Sequence, residues 1–326
     1  MTLEPGKRIA AVWLPLPDVG SLEDASLARW LFRGDLVYAT ERPVDHLDAL
    51  TALVGATAPA DGRASLRFFG QTGDLPSVWM AGADPIYLEP RLDHLLVHAF
   101  APGEIPVPQF RELFSHLQNT LATEGSFAFA RVASFGYLRS DAPLATARLS
   151  PQVLDQREPN DFLPGGSRAD DFRRLLSEIE MALHEHDVNQ ERQARGAFPV
   201  NSLWLWGGGR LPDIEPRPLP PLFCNDPLLI GYWRRCGASL TPLPVSIPEI
   251  IKITNTSFAS VLARYPETAP LIEPALDAMR DALRTGRLDE VRLHFANDLT
   301  VSLQPQHRFR YWRRSSPVPE FERQQT

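Results

Sequence analysis

Apolar residues recur at helical spacing most clearly between positions 167 and 183. Phe172, Leu175, Leu176, Ile179 and Leu183 are three or four residues apart, which places them on one face of a helix. His184 and His186 follow, where positive charge suits the negative end of the helix dipole. The same spacing predicts further helices over 21–32, 46–54, 108–122, 227–236 and 273–284.

Short apolar runs between these segments have the length of buried strands. The first run, 9–14, ends at Pro15, and the last two, 290–295 and 299–303, flank Asn297-Asp298, which predicts a terminal hairpin. The other predicted strands are 65–69, 78–81, 92–100, 127–132, 135–139 and 200–206. Strands that alternate with helices in this way predict an α/β fold with a mixed sheet and flanking helices.

Length and composition favour one sizeable globular body. The chain has 326 residues, of which 44% are hydrophobic, so a packed core is feasible. We expect a single α/β domain over 1–315, with a soft boundary near 60–77 and a flexible tail over 316–326.

Charge and cysteine content exclude several classes of function. The formal net charge is −7, so no basic face for nucleic acid is expected. No apolar stretch approaches the roughly 18 residues of a membrane span, and the first residues lack a signal peptide, so neither membrane insertion nor export is expected. Cys224 and Cys236 form no CxxC pair and are expected to be buried small residues, in keeping with a cytoplasmic protein.

The segment 184–210 has an unusual concentration of polar and aromatic residues. It contains the end of a helix, a polar loop, a strand of alternating Leu and Trp, and a glycine turn, an order that places ligand-binding groups at the carboxyl edge of a sheet. Asn189 supplies a donor and an acceptor, and Arg192 a planar fork that suits phosphate or carboxylate. They could hold an anion there, or they could cap the helix and brace the loop onto the next strand.

The strand and the glycines after it add further candidate ligands. Asn201 lies at the start of the strand, Trp206 at its end, and Gly207, Gly208 and Gly209 could let a ligand approach backbone N–H groups. The spacing is neither a dinucleotide fingerprint nor a P-loop. The alternative is a tight turn that leaves the tryptophans in the core.

Two weaker candidates complete the set. His184 and His186 could share one metal ion only if the helix has already ended between them, because residues two apart do not share a helix face. Asp84, at a predicted strand end before Pro85, could bind a ligand or start a turn.

The stretch from Leu183 to Arg192, followed by Gly196 and by Asn201–Gly209, resembles a motif of the cofactor-independent phosphoglycerate mutases. The closest likeness is to their archaeal-type branch, in the alkaline-phosphatase superfamily. This likeness covers roughly 160–236. With Ala83-Asp84-Pro85, the stretch 79–235 is also similar to the bacterial RpfE-type regulatory proteins, and that resemblance extends over most of the chain. It implies a trimmed alkaline-phosphatase-like fold.

The mutase chemistry implied by this resemblance needs two divalent metals and a Ser or Thr nucleophile. The first strand here continues as Trp13-Leu14-Pro15-Leu16-Pro17-Asp18, where the mutases have Asp-Gly. Their Asp-x-x-Gly-His and Asp-x-Asp-x-His motifs are absent, and Trp206 stands where an Arg often precedes the glycines. The resemblance therefore retains the part of the mutases that would bind substrate and lacks the part that would cleave it.

We accordingly expect a regulatory, non-catalytic protein without a cofactor that binds a small anionic metabolite, for example a phosphorylated one. The predicted ligand-binding residues are Asn189, Arg192, Asn201, Trp206, Gly207–Gly209 and Asp84. The first alternative is a phosphoglycerate mutase or related phosphotransferase that depends on Mn, Zn or Mg, with His184, His186 and Asp187 as the residues to mutate. The second is a protein-interaction module that uses the Pro-rich loop 211–221 and the Arg-rich segment 308–314.

Overall fold

A computed structural model describes residues 6–39, 43–122, 125–166, 169–242, 246–262 and 269–313. It is a mixed α/β protein with two sheets and flanking helices, and its last two strands form the predicted hairpin, so the predicted fold class is confirmed. The strands are β1 (Ile9–Leu14), β2 (Asp35–Tyr38), β3 (Trp79–Pro90), β4 (Leu95–Ala99), β5 (Phe127–Val132), β6 (Phe135–Ser140), β7 (Ser202–Gly209), β8 (Leu222–Phe223), β9 (Leu240–Thr241), β10 (Phe258–Val261), β11 (Glu290–Phe295) and β12 (Leu299–Leu303).

The α-helices are α1 (Ala25–Phe32), α2 (His46–Leu53), α3 (Arg63–Thr72), α4 (Val107–Leu121), α5 (Ala169–His184), α6 (Asp187–Ala194), α7 (Pro227–Arg235), α8 (Ile247–Ile253) and α9 (Ala269–Arg284). Within the described residues, none of these helices combines the length and apolar character needed to cross a membrane.

Contacts within the chain group it into two compact units. Unit 1 comprises 1–58, 216–226 and 233–326, and unit 2 comprises 59–215 and 227–232. The first division falls just before the soft boundary expected near 60–77. A single domain over 1–315 stays a prediction, because two compact units can fold together or separately, and the tail 316–326 lies outside the described residues.

Unit 1 is built on a sheet of order β2-β12-β11-β1-β10-β8-β9. β1 pairs in parallel with β10 and β11, and the β11–β12 hairpin adds antiparallel strands at one side. Because side chains alternate along a strand, Ala10, Val12 and Leu14 pack with apolar residues of α1, α8 and α9. Trp13 lies on the opposite face and contacts His46 of α2.

Unit 2 is built on the long strand β3, which pairs antiparallel with β4, β6 and β7. One face of this sheet carries Ala81, Ala83, Leu203 and Leu205, which pack in a cluster with residues of α4 and α5. The other face is covered by α3, which contacts both β3 and β7. This layering places a helix above the polar residues that β3 and β7 direct away from the apolar cluster.

Several predicted elements differ from the structure. Residues 65–69 lie in helix α3, not in a strand, because Gly62 and Gly73, both with positive φ, bound a helical segment whose side chains are buried on several sides. The helix predicted from Ser21 is a short 3-10 turn followed by α1, which Asp24 caps through the Ser26 N–H.

Three sequence predictions about the candidate site are wrong. The polar loop expected after α5 is helix α6, which the imidazole of His186 caps. Gly207–Gly209 belong to strand β7 and do not form a turn. Asp84-Pro85 lies in the middle of β3 and not at a strand end. The helix predicted from Ser167 is described from Ala169 onward, and 167–168 lie outside the described residues.

Candidate functional site

Strand β3 changes its neighbour at Asp84. β6 pairs with Trp79–Gly82 and β4 pairs with Ile86–Pro90, so Ala83, Asp84 and Pro85 lie between two ladders on that side of the strand. On its other side β3 is continuously paired with β7 across this point. Because neither β4 nor β6 pairs with these three residues, a gap separates the two ladders on this side of β3. The candidate site lies at this gap.

The carboxylate of Asp84 is bound on three sides within this gap. Its Oδ2 accepts hydrogen bonds from Arg67 Nη1 at 2.5 Å and from Trp206 Nε1 at 2.7 Å. Its Oδ1 accepts the backbone N–H of Gly136 at 3.2 Å. Asp84 and Arg67 are both buried, so their ion pair replaces the water that each charged group would otherwise need.

The guanidinium of Arg67 is surrounded by aromatic rings. It lies 4.6 Å from the ring centre of Tyr137, 4.9 Å from Phe135 and 5.0 Å from Trp206. Its remaining nitrogens donate to the Tyr137 hydroxyl and to the carbonyl of Gly136. This one side chain therefore connects α3 to β3, β6 and β7.

Burial and neighbouring groups shift the pKa values of Arg67 and Tyr137. Burial alone would lower the pKa of Arg67, but the negative charge of Asp84 and the hydrogen bonds to Asp84 and Tyr137 more than offset it, so the pKa is raised and the guanidinium stays charged. Burial raises the pKa of Tyr137 to about 12, so its hydroxyl stays protonated and donates to Gln71. Shifted pKa values of this kind are enriched at functional sites, although structural ion pairs also produce them.

A small pocket opens at the gap in the sheet. Its polar lining residues are Asp84, Ser134 and Gln152. Its apolar wall includes Phe100, Phe110, Phe135, Ile105, Pro85 and the loop residues Ala101, Pro102 and Gly103. Ala133, next to Ser134 in the β5–β6 turn, has a positive φ of 49°, an uncommon conformation for a residue with a side chain.

Asn189 is used as a brace between α5, α6 and β7. Its Nδ2 donates to the carbonyls of Leu183 and Val200, both at 2.8 Å, and its Oδ1 accepts the Val200 N–H at 2.8 Å. The amide is buried. The geometry therefore favours the bracing alternative, and the ligand-binding role of Asn189 stays a prediction.

Arg192 is likewise buried and bound within the chain. Its Nε donates to the carbonyl of Phe198 at 2.8 Å and its Nη1 to Gln109 at 3.1 Å, while the guanidinium lies 5.2 Å from the ring centre of Phe100. Burial lowers the pKa of Arg192, and Glu104 partly offsets this effect. Through Phe100, Arg192 supports one wall of the pocket.

Asn201 extends the pairing of β7 with β3. Its Oδ1 accepts the N–H of Leu88 at 2.7 Å and its Nδ2 donates to the carbonyl of the same residue at 2.9 Å. The side chain thus takes the place of a backbone peptide in the ladder.

The three glycines of β7 let helix α3 approach the sheet. A β-carbon on Gly209 would overlap the backbone of Gly62, and one on Gly208 would overlap the ring of Trp79. The Gly207 N–H donates to the carbonyl of Ala147 and the Gly208 N–H to the Thr146 hydroxyl. These N–H groups are therefore engaged by the protein, and their predicted role toward a ligand stays untested.

Of the predicted site residues, Asp84 and Trp206 are in direct contact, and the others bond elsewhere in unit 2. His184 ends α5, whereas His186 turns its Nδ1 to the Val188 N–H and packs against His116 with 4.7 Å between ring centres. Among the described residues, no three His, Cys, Asp or Glu side chains are grouped in a way that could hold a metal ion.

The sequence interpretation missed Arg67, Tyr137, Ser134 and Gln152. The apolar run 65–69 predicts a strand at Arg67, and the other three residues carry no recognisable spacing. The one available signal was the pair of glycines, Gly62 and Gly73, which bound a helix and place Arg67 within it.

A second polar cluster lies at the carboxyl edge of the unit 1 sheet. His294, at the end of β11, has its Nδ1 3.1 Å from Thr300 Oγ1 and its Nε2 3.9 Å from Asp298. His46 packs on Trp13 with 4.1 Å between ring centres, and its Nδ1 lies 3.6 Å from Asp226. Burial, and secondly the charge of His46, lowers the pKa of His294 to about 4, so this imidazole is neutral near pH 7.

Two proteins are described among the solved structures that are similar to this chain. A cofactor-independent phosphoglycerate mutase from Thermoplasma acidophilum is 18% identical, with 91% of this chain and 90% of that chain covered and a TM-score of 0.37. A protein from Pyrococcus horikoshii is 12% identical, with 91% and 87% covered and a TM-score of 0.47.

No protein-family model matches the chain. A 2,3-bisphosphoglycerate-independent phosphoglycerate mutase from Methanosarcina barkeri is 27% identical over 128 residues, 38% of this chain and 32% of that protein. The 2,3-bisphosphoglycerate-independent phosphoglycerate mutase 2 from Methanothermobacter thermautotrophicus is 28% identical over 120 residues, which are 36% of this chain and 30% of that protein. The match thus spans about a third of the length of these relatives. The chain is distantly similar in sequence to the 2,3-bisphosphoglycerate-independent phosphoglycerate mutases.

Proposed function

We propose that this chain is a phosphoglycerate-mutase-like regulatory protein that binds a small metabolite and does not transfer a phosphoryl group. The similarity to the mutases supports the first part of the proposal. The closer relation to RpfE-type regulatory proteins, inferred from residues 79–235, belongs to the same proposal.

The observation that carries the proposal is the chemistry at the carboxyl edge of the unit 1 sheet, where an α/β enzyme of this kind would hold its metals. β1 ends in Trp13-Leu14 and continues as Pro15-Leu16-Pro17, and the first carboxylate after it, Asp18, is used to cap the turn that follows, where it accepts the Ser21 N–H at 3.1 Å. The loop after β11 is closed onto it, because the N–H of Ala296 donates to Leu16 at 2.8 Å and that of Asn297 to Pro17 at 3.2 Å.

The donor set at this edge does not fit a centre of two divalent ions. Such a centre needs several carboxylates and imidazoles aimed at common points. Asp298 instead accepts the N–H of Val44 at 3.0 Å, and the ring of His294 is bonded to Thr300. We therefore derive no step through a metal ion.

The phosphotransferase alternative finds no support in the residues chosen for it. His184 is exposed at the end of α5, and His186 is used as the cap of α6, so the two imidazoles serve different helices. The site proposed for an anion is also weakened, because Asn189, Arg192, Asn201 and Gly207–Gly208 bond within the chain. An anionic ligand therefore stays a prediction without geometric support.

One observation favours the protein-interaction alternative. Phe309, Tyr311 and Trp312 are exposed next to Arg308, Arg310 and Arg313, and exposed aromatic and arginine side chains are typical of protein interfaces. Arg314, the last residue of the predicted segment, lies outside the described residues. Deletion of the chain after Tyr311 should abolish binding to a co-purifying partner, with unchanged thermal stability, if this alternative is right.

The proposal is tested by assaying the chain for interconversion of 2- and 3-phosphoglycerate in the presence of Mn²⁺, Zn²⁺ or Mg²⁺, with the Methanosarcina mutase as the positive control. Metal content of the same sample is measured by elemental mass spectrometry. We expect no turnover above the protein-free blank and no stoichiometric metal. Turnover that depends on metal and falls in a His294→Asn variant would overturn the proposal.

A further inference from the structure

The segment that follows β12 exposes three aromatic side chains to solvent. Phe309, Tyr311 and Trp312 are 52%, 61% and 75% exposed. Val37 of β2 is also exposed, and it lies on the same face of its strand as Asp35, which contacts this segment. Contiguous apolar surface rimmed by polar residues is typical of an interaction site. We call this surface the Arg–aromatic patch, and its arginines are Arg33, Arg308, Arg310 and Arg313.

The patch is anchored to the start of β2 by its own polar residues. Arg313 Nη1 donates to the carbonyl of Gly34 at 2.6 Å, and Arg310 Nη1 donates to Asp35 Oδ1 at 2.5 Å. His307 is buried, and its Nε2 lies 3.5 Å from Asp35 Oδ2. The aromatic side chains therefore project from a segment that is already positioned, which reduces the conformational entropy lost when they contact a partner.

Two of the arginines are stacked on aromatic rings of the patch. The guanidinium of Arg308 lies 4.6 Å from the ring centre of Phe309, and that of Arg33 lies 5.6 Å from the ring centre of Tyr311. Stacking uses the face of a guanidinium and leaves the N–H groups at its edge available. Within the part of the chain that the structure describes, the Arg308 guanidinium has no hydrogen bond or ion pair. Arg308 is therefore a positioned donor for an incoming carboxylate.

The charge of the patch selects an acidic partner. Four arginines and the one carboxylate of Asp35 make this surface positive, although the whole chain has a formal net charge of −7. Asp35 already shows how the patch binds a carboxylate, because Arg310 and Arg313 both donate to its Oδ1. A partner that carries carboxylates beside an apolar side chain would satisfy both the arginines and the rings.

The remainder of the chain disfavours extended polyanions. A membrane surface or a nucleic acid reaches beyond the patch, where the net negative charge of the molecule repels it. A short acidic segment of a protein can cover the patch alone. A second copy of this chain, docked patch to patch, would place arginines opposite arginines, and like charges across an interface are unfavourable.

We propose that the Arg–aromatic patch is a docking site for an acidic segment of a partner protein, whose carboxylates bind Arg308 and its neighbouring arginines and whose apolar side chain packs against Trp312. This inference rests on the protein-interaction alternative given with the proposed function, because it names the chemistry of the partner. It does not depend on metabolite binding or on the absence of mutase activity.

Binding is measured by fluorescence polarisation with the full chain and three labelled peptides of equal length. Each peptide has the same central phenylalanine, and its flanking residues are glutamate, glutamine or lysine. We expect the glutamate peptide to bind in a saturable way that weakens with added salt, and the glutamine peptide to bind at least about tenfold more weakly. The lysine peptide should not bind. Phosphatidylserine vesicles and single-stranded oligouridylate, tested with the same protein, should not bind either.

Arg308→Ala and Trp312→Ala test the two parts of the site. Each should weaken binding of the glutamate peptide about fivefold to thirtyfold, the range for truncation of an important interface residue. Both side chains are exposed, so the unfolding midpoint of each variant should match that of the parent. Arg173→Ala, which removes an exposed arginine of unit 2, is the matched control and should leave the affinity unchanged. Arg308→Glu should lose the glutamate peptide and gain the lysine peptide.

The inference is overturned if no peptide binds, if the glutamine peptide binds as tightly as the glutamate peptide, or if Arg308→Ala and Trp312→Ala both behave like Arg173→Ala. Preference for vesicles or oligouridylate over the glutamate peptide would also overturn it. Failure of the proposed function is a separate result, because it appears as metal-dependent mutase turnover. Turnover together with peptide binding would overturn the proposed function and leave the docking site standing.

Discussion

Arg67 Nη1 lies 2.5 Å from Asp84 Oδ2, and the two side chains are 3% and 5% exposed. The pair links helix α3 to the middle of β3, at the point where that strand changes its neighbour. Because Trp206, Tyr137 and Gly136 bond to the same two side chains, this ion pair organises the sheet around the pocket.

Arg67→Met should lower the free energy of unfolding by about 3–5 kcal/mol, because it leaves the Asp84 carboxylate buried without its cation. The double variant Arg67→Met with Asp84→Asn should lose less than the sum of the two single variants. Urea denaturation measures all three. Arg173→Met, which removes an exposed pair with Asp170, is the control and should cost no more than about 1 kcal/mol. Additive losses would show that the pair is not coupled.

Asn189→Ala should destabilise the chain by about 2–3 kcal/mol, because it removes three bonds and leaves the buried Val200 N–H without an acceptor. Asn160→Ala, an exposed asparagine in the same unit, should change stability by less than about 0.5 kcal/mol. Thermal and urea unfolding without added ligand provide the measurement. An Asn189→Ala protein as stable as the parent would remove the bracing role and restore the ligand-binding alternative.

Gly70→Ala and Gly231→Ala should each cost about 1–3 kcal/mol or more, because helices α3 and α7 approach through these two glycines. A β-carbon on Gly70 would overlap the carbonyl of Pro227, and one on Gly231 would overlap that of Leu66. Gly165→Ala, where a β-carbon meets nothing within 4 Å, is the matched control and should be near neutral. Equal unfolding midpoints for all three variants would contradict this close approach.

Acidification should weaken the fold partly through His294. Its pKa is lowered to about 4 by burial and by His46, so its contribution to stability is complete above pH 6.5 and is lost as the pH falls toward 4. The loss at full protonation is about 3 kcal/mol.

The measurement compares the pH dependence of unfolding for the parent and for His294→Gln. His186 and His307 also have lowered pKa values and titrate in the same direction, so the difference between the two curves isolates His294. Between pH 6.5 and 4 the parent should lose more stability than the variant. Parallel curves would show that His294 is solvated in the native state.

Local pattern alone was enough to predict much of the secondary structure. The apolar spacing from Phe172 to Leu183 predicts α5, and the runs 127–132 and 290–295 predict strands with the observed bounds. These signals succeed because each element buries one face, and burial of a face imposes its period on the sequence.

The candidate site depended on contacts between residues distant in sequence. Asp84 was singled out, but its partners Arg67, Gly136 and Trp206 come from three other elements, and no spacing relates them. Asn189 and Arg192 have the chemistry of anion ligands, yet the same donors and acceptors satisfy buried backbone groups equally well. Whether Asn189 and Arg192 bind an anion or buried backbone groups depends on which residues pack around them in the fold.

The sequence by itself therefore determined the α/β class, the terminal hairpin and the distant likeness to the mutases, because periodicity and motif order are local properties. The tertiary structure alone decided that 65–69 form a helix, that Gly207–Gly209 remain in a strand, and that Asp84 lies in a gap between two ladders. The physical reason is that a buried polar group must find its partner somewhere in the fold, and only the packing of α3 onto β3 and β7 brings Arg67 to Asp84.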